Sequence, residues 1–101
     1  MAEPHSVLLA TYDVDPASHD QLRDLLTEGL EDTVRHRAGF VRAMLLSAPD
    51  RCQIVNIAEW RRSVDLEATR EDPAVAAFAR RAATLATQGA ARLHLVARVE
   101  G

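Results

Sequence analysis

Two stretches decide the fold: Phe40-Val41-Arg42-Ala43-Met44-Leu45-Leu46-Ser47 and Cys52-Gln53-Ile54-Val55-Asn56-Ile57-Ala58-Glu59-Trp60, separated by Ala48-Pro49-Asp50-Arg51. Both runs are apolar and of strand length, and the Pro-Asp pair between them is turn chemistry, so they predict an antiparallel hairpin. Within the second run a two-residue period places Ile54, Asn56, Ala58 and Trp60 on one face.

Working outward, Gly39 supplies a helix C-cap or turn just before the hairpin. Upstream of it, Leu22, Leu25, Leu26, Leu30, Thr33 and Val34 recur at three- and four-residue intervals. They predict a helix from about Ala17 or Ser18 to about Arg37, opened by Pro16 and a Ser18/Gln21 capping box, with Arg35 and Arg37 at its end. Ser6–Val14 is β-rich and apolar until Asp15-Pro16 stops it, giving a first strand. Downstream, Ser63–Arg70 predicts a short helix. Asp72-Pro73 then opens a longer one to about Thr87, with Val75, Phe78, Ala82 and Leu85 as its apolar stripe. Ala91–Val99 alternates and reads as the last strand.

The order β-α-β-β-α-β is that of an α+β, ferredoxin-like fold, with helices on one face of an antiparallel sheet. The strands carry apolar residues on both faces, for example Met44 beside Leu45 and Ile54 beside Val55. One helical layer covers one face, so a homodimer is expected to cover the other.

Composition narrows the function. The 101 residues form a single domain over 1–101, and 48% hydrophobic with 27% charged residues is a globular balance. No apolar run reaches the roughly 20 residues that span a bilayer, and the N-terminus carries no leader pattern, so a cytoplasmic protein without membrane contact is expected. A net charge of -3 does not supply the basic field that nucleic acid needs. Cys52 is the sole cysteine, and all 12 basic residues are arginine, which excludes lysine catalysis. Nucleotide, P-loop, serine-hydrolase and zinc-protease motifs are absent, and His5, His19, His36 and His94 lack ligand spacing, so no metal is expected.

Asn56 is the informative residue. An amide is uncommon in a strand and costs stability among apolar neighbours unless it is hydrogen-bonded, either to nearby backbone or to a ligand oxygen. Trp60, on the same face, either plugs the end of the core or offers a flat ring surface to that ligand.

The first strand, the long helix, Gly39-Phe40, Glu59-Trp60, Ser63 and the Asp72-Pro73 helix together resemble the antibiotic biosynthesis monooxygenase family, and in particular its small anthrone-oxidising members. The resemblance implies a dimeric α+β barrel and a monooxygenase that uses no cofactor, with molecular oxygen as cosubstrate and an aromatic polyketide as substrate. It implies roles for Asn56, Trp60 and an arginine of the second long helix, Arg80, with Arg81 as its neighbouring rival. A tyrosine that such enzymes carry shortly after the tryptophan is matched here by Leu66. Tyr12 and His94 are then the proton-transfer candidates, and Leu66 and Phe78 complete the substrate-contacting set. The haem-degrading branch needs a histidine in the stretch matching Ala74 to Arg81, which has none. A polyketide cyclase or isomerase, or a noncatalytic ligand-binding barrel, are the alternative functions of the same scaffold.

Overall fold

The computed structural model describes residues 3–101. Strand β1 (Ser6–Val14) leads through a 3-10 turn (Pro16–Ser18) into helix α1 (His19–Asp32), and a second 3-10 turn (Val34–His36) precedes the hairpin of β2 (Phe40–Ser47) and β3 (Gln53–Trp60). Helices α2 (Ser63–Glu71) and α3 (Pro73–Ala83) follow, and β4 (Ala86–His94) closes the sheet. The strand order is β2-β3-β1-β4, with every neighbouring pair antiparallel. This is the ferredoxin-like arrangement that the hairpin and its flanking periodicities predict.

The helices lie on the sheet face that carries Ala10, Tyr12, Ile54, Ala58 and Trp60. Two adjoining clusters form there, one around Leu22, Ile54 and Ala82 and the other around Ala58, Trp60 and Leu66. One rung across the centre of this face reads Leu45, Asn56, Ala10 and Ala90, one residue from each strand. Asn56 is therefore flanked on the β1 side by two methyl groups.

Local chemistry explains where the elements begin and end. The Asp72 carboxylate accepts from the amides of Ala74 and Val75 and so caps α3 as its Asp-Pro pair predicts. Gly39 has φ +78°, and a Cβ there would collide with the Asp65 carboxylate. The expected Ser18 cap does not form; instead Asp15 accepts from the amide of Ala17 and starts the 3-10 turn ahead of α1. Helix α1 also ends earlier than its periodicity predicts, because Thr33 leaves the helical region at φ -126°. The apolar positions continue through the 3-10 turn, where Val34 is buried.

The last strand is displaced from the predicted Ala91–Val99. Residues Ala86–His94 pair with Val14 back to Ser6, and α3 stops at Ala83 rather than near Thr87. Gln88-Gly89, which reads as a turn, lies within the strand. Gly89 sits against Thr11, whose Oγ1 would stand 2.9 Å from a Cβ at that position.

The outer sheet face stays open. Met44, Leu46 and Leu93 are about half exposed on it, at 52%, 48% and 46%. Glu59 is buried at one end of this face, where it accepts from His5 Nδ1 at 2.5 Å and from Arg98 Nη2 at 2.9 Å, with Arg42 Nε at 3.8 Å. The amide of Leu95 donates to the His5 carbonyl, which starts the C-terminal segment on its way to that contact.

Candidate active site

Between the sheet, α1 and α3 lies a cavity of about 430 Å³, within the range that small-molecule sites occupy. Its floor is the helix-facing side of β1, β3 and β4, and its walls come from Leu25, Leu26 and Leu30 of α1 and Val75 and Phe78 of α3. Gly29 allows the Phe78 ring to approach α1, since a Cβ at position 29 would lie 3.1 Å from Phe78 Cγ.

Asn56 opens into this cavity from the middle of β3. Its side chain makes no hydrogen bond among the described residues, and its Oδ1 is buried without a partner. An unpaired buried amide costs about 1–3 kcal/mol, so the fold leaves unmet a demand that a ligand can satisfy. The backbone partner considered for this amide is not there. The two ends of an amide are interchangeable by rotation, so either a donor or an acceptor can be offered to the ligand.

Trp60 is fixed on both sides. Its Nε1–H donates to Thr69 Oγ1 at 3.1 Å, and its ring meets Phe40 edge-on with centroids 5.7 Å apart. Thr69 in turn donates to the Asp65 carbonyl at 2.8 Å. The indole thus presents a held surface to the cavity.

Tyr12 lines the same cavity, where it pairs with Ile54 of β3 on one side and Gln88 of β4 on the other. Burial pushes its phenol pKa up, so it is a proton donor rather than a phenolate at neutral pH. It makes no side-chain hydrogen bond among the described residues.

Arg80 lines the cavity from α3 and is exposed at its rim, whereas Arg81 points elsewhere and packs over the Phe78 ring at 5.5 Å. Of the two adjacent arginines, Arg80 is the one that lines this cavity. Arg70, at the end of α2, also lines the cavity, as does Gln88, whose Nε2 donates to the Ala79 carbonyl at 3.0 Å. Neither was singled out by the sequence. No local sequence signal marks Arg70: its neighbour Thr69 orients this end of α2 only through the hydrogen bond it accepts from Trp60.

Two expected contacts are corrected. Leu66 is fully buried in the cluster around Trp60 and does not line the cavity, because α2 packs that side chain beneath the indole. His94 is exposed at the end of β4, opposite Ser6, and lies outside the cavity because the strand is displaced. Among the described residues no three His, Cys, Asp or Glu side chains gather as a metal site. No helix among them is long and apolar enough to cross a membrane.

A four-stranded antiparallel sheet roofed by helices, with an amide and an indole opening into the space between, defines a ferredoxin-like domain with a cavity of small-molecule size. The chain belongs to the antibiotic biosynthesis monooxygenase family, whose sequence model matches residues 6–81. It is 39% identical over 66 residues to tetracenomycin-F1 monooxygenase of Streptomyces glaucescens, a match covering 65% of this chain. The matched region spans 59% of that relative's length.

Among solved structures, the ActVA-Orf6 monooxygenase of Streptomyces coelicolor in complex with nanaomycin D superposes with a TM-score of 0.85 at 23% identity, covering 97% of this chain and 93% of that one. SnoaB of Streptomyces nogalater, a cofactor-independent oxygenase, gives a TM-score of 0.78 at 19% identity over 98% of this chain and all of its own. At these identities the structural likeness establishes the fold.

Proposed function

We propose that the chain is a cofactor-independent monooxygenase of aromatic polyketide biosynthesis, a single domain over 1–101 that oxidises an anthrone-type ring to a quinone with molecular oxygen. One observation carries the reading: the unpaired Asn56 amide shares an apolar cavity with Trp60, Tyr12 and Arg80. The names of the relatives above, a tetracenomycin monooxygenase and a cofactor-independent oxygenase, support it.

The carbon between the rings of an anthrone is acidic, because its anion is an aromatic enolate, and the proton it loses passes to water, from which Tyr12 is reprotonated at the end of the cycle. Asn56 donates to the enolate oxygen, and such a donor is worth about 10²–10³ in turnover where it is well placed. Trp60 stacks on the ring system and Phe78 closes over it. The enolate passes one electron to oxygen, and the resulting radical pair combines to form a carbon–oxygen bond, giving a peroxide at that carbon. Tyr12, kept protonated by burial, supplies the proton to the peroxide. Loss of the remaining ring proton with cleavage of the O–O bond releases water and leaves the carbonyl, so one oxygen atom ends in the quinone and the other in water.

The working unit in this reading is a cytoplasmic homodimer. Burying Met44, Leu46 and Leu93 against a second copy removes apolar surface from water at about 25 cal/mol per Å².

Oxygen uptake by protein freed of metal and flavin, with a simple anthrone as substrate, tests the function. The reading expects uptake above the spontaneous rate with quinone formation, lost about 10²–10³-fold in Asn56→Ala. Saturable anthrone binding without uptake would turn the assignment toward a cyclase or a binding protein.

A further inference from the structure

We propose that Ser47, His19 and Asp20 form a second reactive site, in which the Ser47 hydroxyl takes small acyl groups from activated esters or thioesters and passes them to water. The site is separate from the cavity, which none of the three residues lines.

The cluster joins the end of β2 to the start of α1. His19 is buried, at 4% exposure, and both of its ring nitrogens are engaged: Nδ1 meets Asp20 Oδ1 at 2.9 Å, and Nε2 meets Ser47 Oγ at 2.7 Å. Asp20 is braced from outside, since Arg51 Nη2 donates to the same Oδ1 at 2.9 Å and Arg23 Nη1 at 3.4 Å. The hydrogen bond from His19, then that from Arg51, hold the Asp20 carboxyl below its usual range, so it stays ionised. A carboxylate at Nδ1 keeps the ring proton there and leaves the Nε2 lone pair to the hydroxyl. Ser47 itself is exposed, so an acyl group reaches its Oγ from solvent while the base behind it is shielded.

A buried imidazole needs partners for both nitrogens, and that need alone accounts for two hydrogen bonds. It does not account for their order. A carboxylate, an imidazole and an accessible hydroxyl in sequence are the parts that activate a serine, and such sets are recognised by geometry rather than by a sequence motif. The Ala48 carbonyl, 3.1 Å from Ser47 Oγ, accepts the hydroxyl when the ring is protonated and Nε2–H is a donor, so the nucleophile belongs to the neutral ring.

In the reaction, Ser47 Oγ attacks the acyl carbonyl and its proton passes to His19 Nε2. The bond from the acyl carbon to the leaving oxygen or sulfur breaks, and the leaving group departs with that proton. Water then attacks the acyl-serine, its proton passes through Nε2 to Ser47 Oγ, and the carboxylic acid is released. Nothing is oxidised or reduced. Because the hydroxyl is open to solvent, the fitting substrates are those whose leaving group needs little help, phenyl esters and thioesters of small acids.

The test is hydrolysis of 4-nitrophenyl acetate, followed by nitrophenol release and by peptide mapping of the acetyl group. Cys52→Ser serves as the reference protein, since Cys52 is an exposed free thiol that would take the acetyl group itself. The chain has no lysine, so amine acetylation gives little background. Release above the buffer rate with acetyl on Ser47 is expected, falling about 10²-fold in Ser47→Ala and in His19→Gln. Asp20 acts through His19 as a positioning residue: Asp20→Asn slows release, and Asp20→Glu partly restores it. His19 is buried and its replacement can disturb the fold, whereas Ser47→Ala alters an exposed position and is compared at an equal urea midpoint. No release above buffer, unchanged release in Ser47→Ala, or acetyl mapped only to other residues overturns the proposal.

Discussion

Trp60 Nε1–H donates to Thr69 Oγ1 at 3.1 Å, and through it the end of β3 is tied to α2. Both side chains are buried, at 2% exposure each, so no water replaces the bond if it is lost. Thr69→Val keeps the volume and removes the acceptor. It is expected to cost about 1–3 kcal/mol in urea unfolding, the usual penalty for a stranded buried donor. An unchanged midpoint would show that the indole finds another partner.

Leu66, which the family resemblance matches to a tyrosine, lies beneath Trp60 and not in the cavity. Leu66→Tyr therefore adds bulk and a hydroxyl to a filled core. We expect a loss of about 1–3 kcal/mol in stability with no gain in turnover. Faster oxygen uptake by this variant would contradict the placement.

Arg80 and Arg81 are neighbours with different surroundings. Under the proposed function, Arg80→Gln is expected to raise KM for the anthrone. Arg81→Gln removes the contact with Phe78, worth about 0.5–1 kcal/mol at an exposed position, and leaves KM unchanged. Equal KM changes in the two variants would remove the distinction.

Burial acts to raise the pKa of Glu59, but hydrogen bonds from His5 and Arg98 and the charges of Arg98 and Arg42 outweigh it and hold the carboxyl below its usual range. A carboxyl with a lowered folded-state pKa contributes stability in full above the ordinary glutamate value of about 4.3, and the contribution is lost as pH falls through the lowered value. Wild-type protein should therefore lose more of its urea resistance between about pH 6 and about pH 3 than Glu59→Gln does. Parallel loss in both proteins would show that other carboxylates set the acid limit.

The hairpin Phe40–Ser47 and Gln53–Trp60 was legible because its signals are local: alternation, strand length and a Pro-Asp turn all act within one stretch. The Asp72-Pro73 start of α3 was legible for the same reason. The last strand was not, because Ala86-Thr87-Gln88-Gly89 has the composition of a helix end and turn, and only pairing with β1 makes it a strand. That displacement also removed His94 from the site. Asn56 and Trp60 could be placed on one face from the two-residue period alone. Arg70 could not be placed, since which side of a short helix faces a cavity depends on how α2 packs against β3. Arg80 was separated from Arg81 only once α3 had docked.

Asn56 looks across β1 onto Ala10 and then Ala90, side chains as small as a strand can carry without resorting to glycine. The depth available to a ring system is thus governed by methyl groups, while the polar work belongs to other residues. Under the proposed function, enlarging Ala10 or Ala90 would narrow the range of rings admitted while leaving Asn56, Trp60 and Tyr12 in place. In such a layout the size of the space and the polar groups that open into it are set by different residues, and either can change while the other stays.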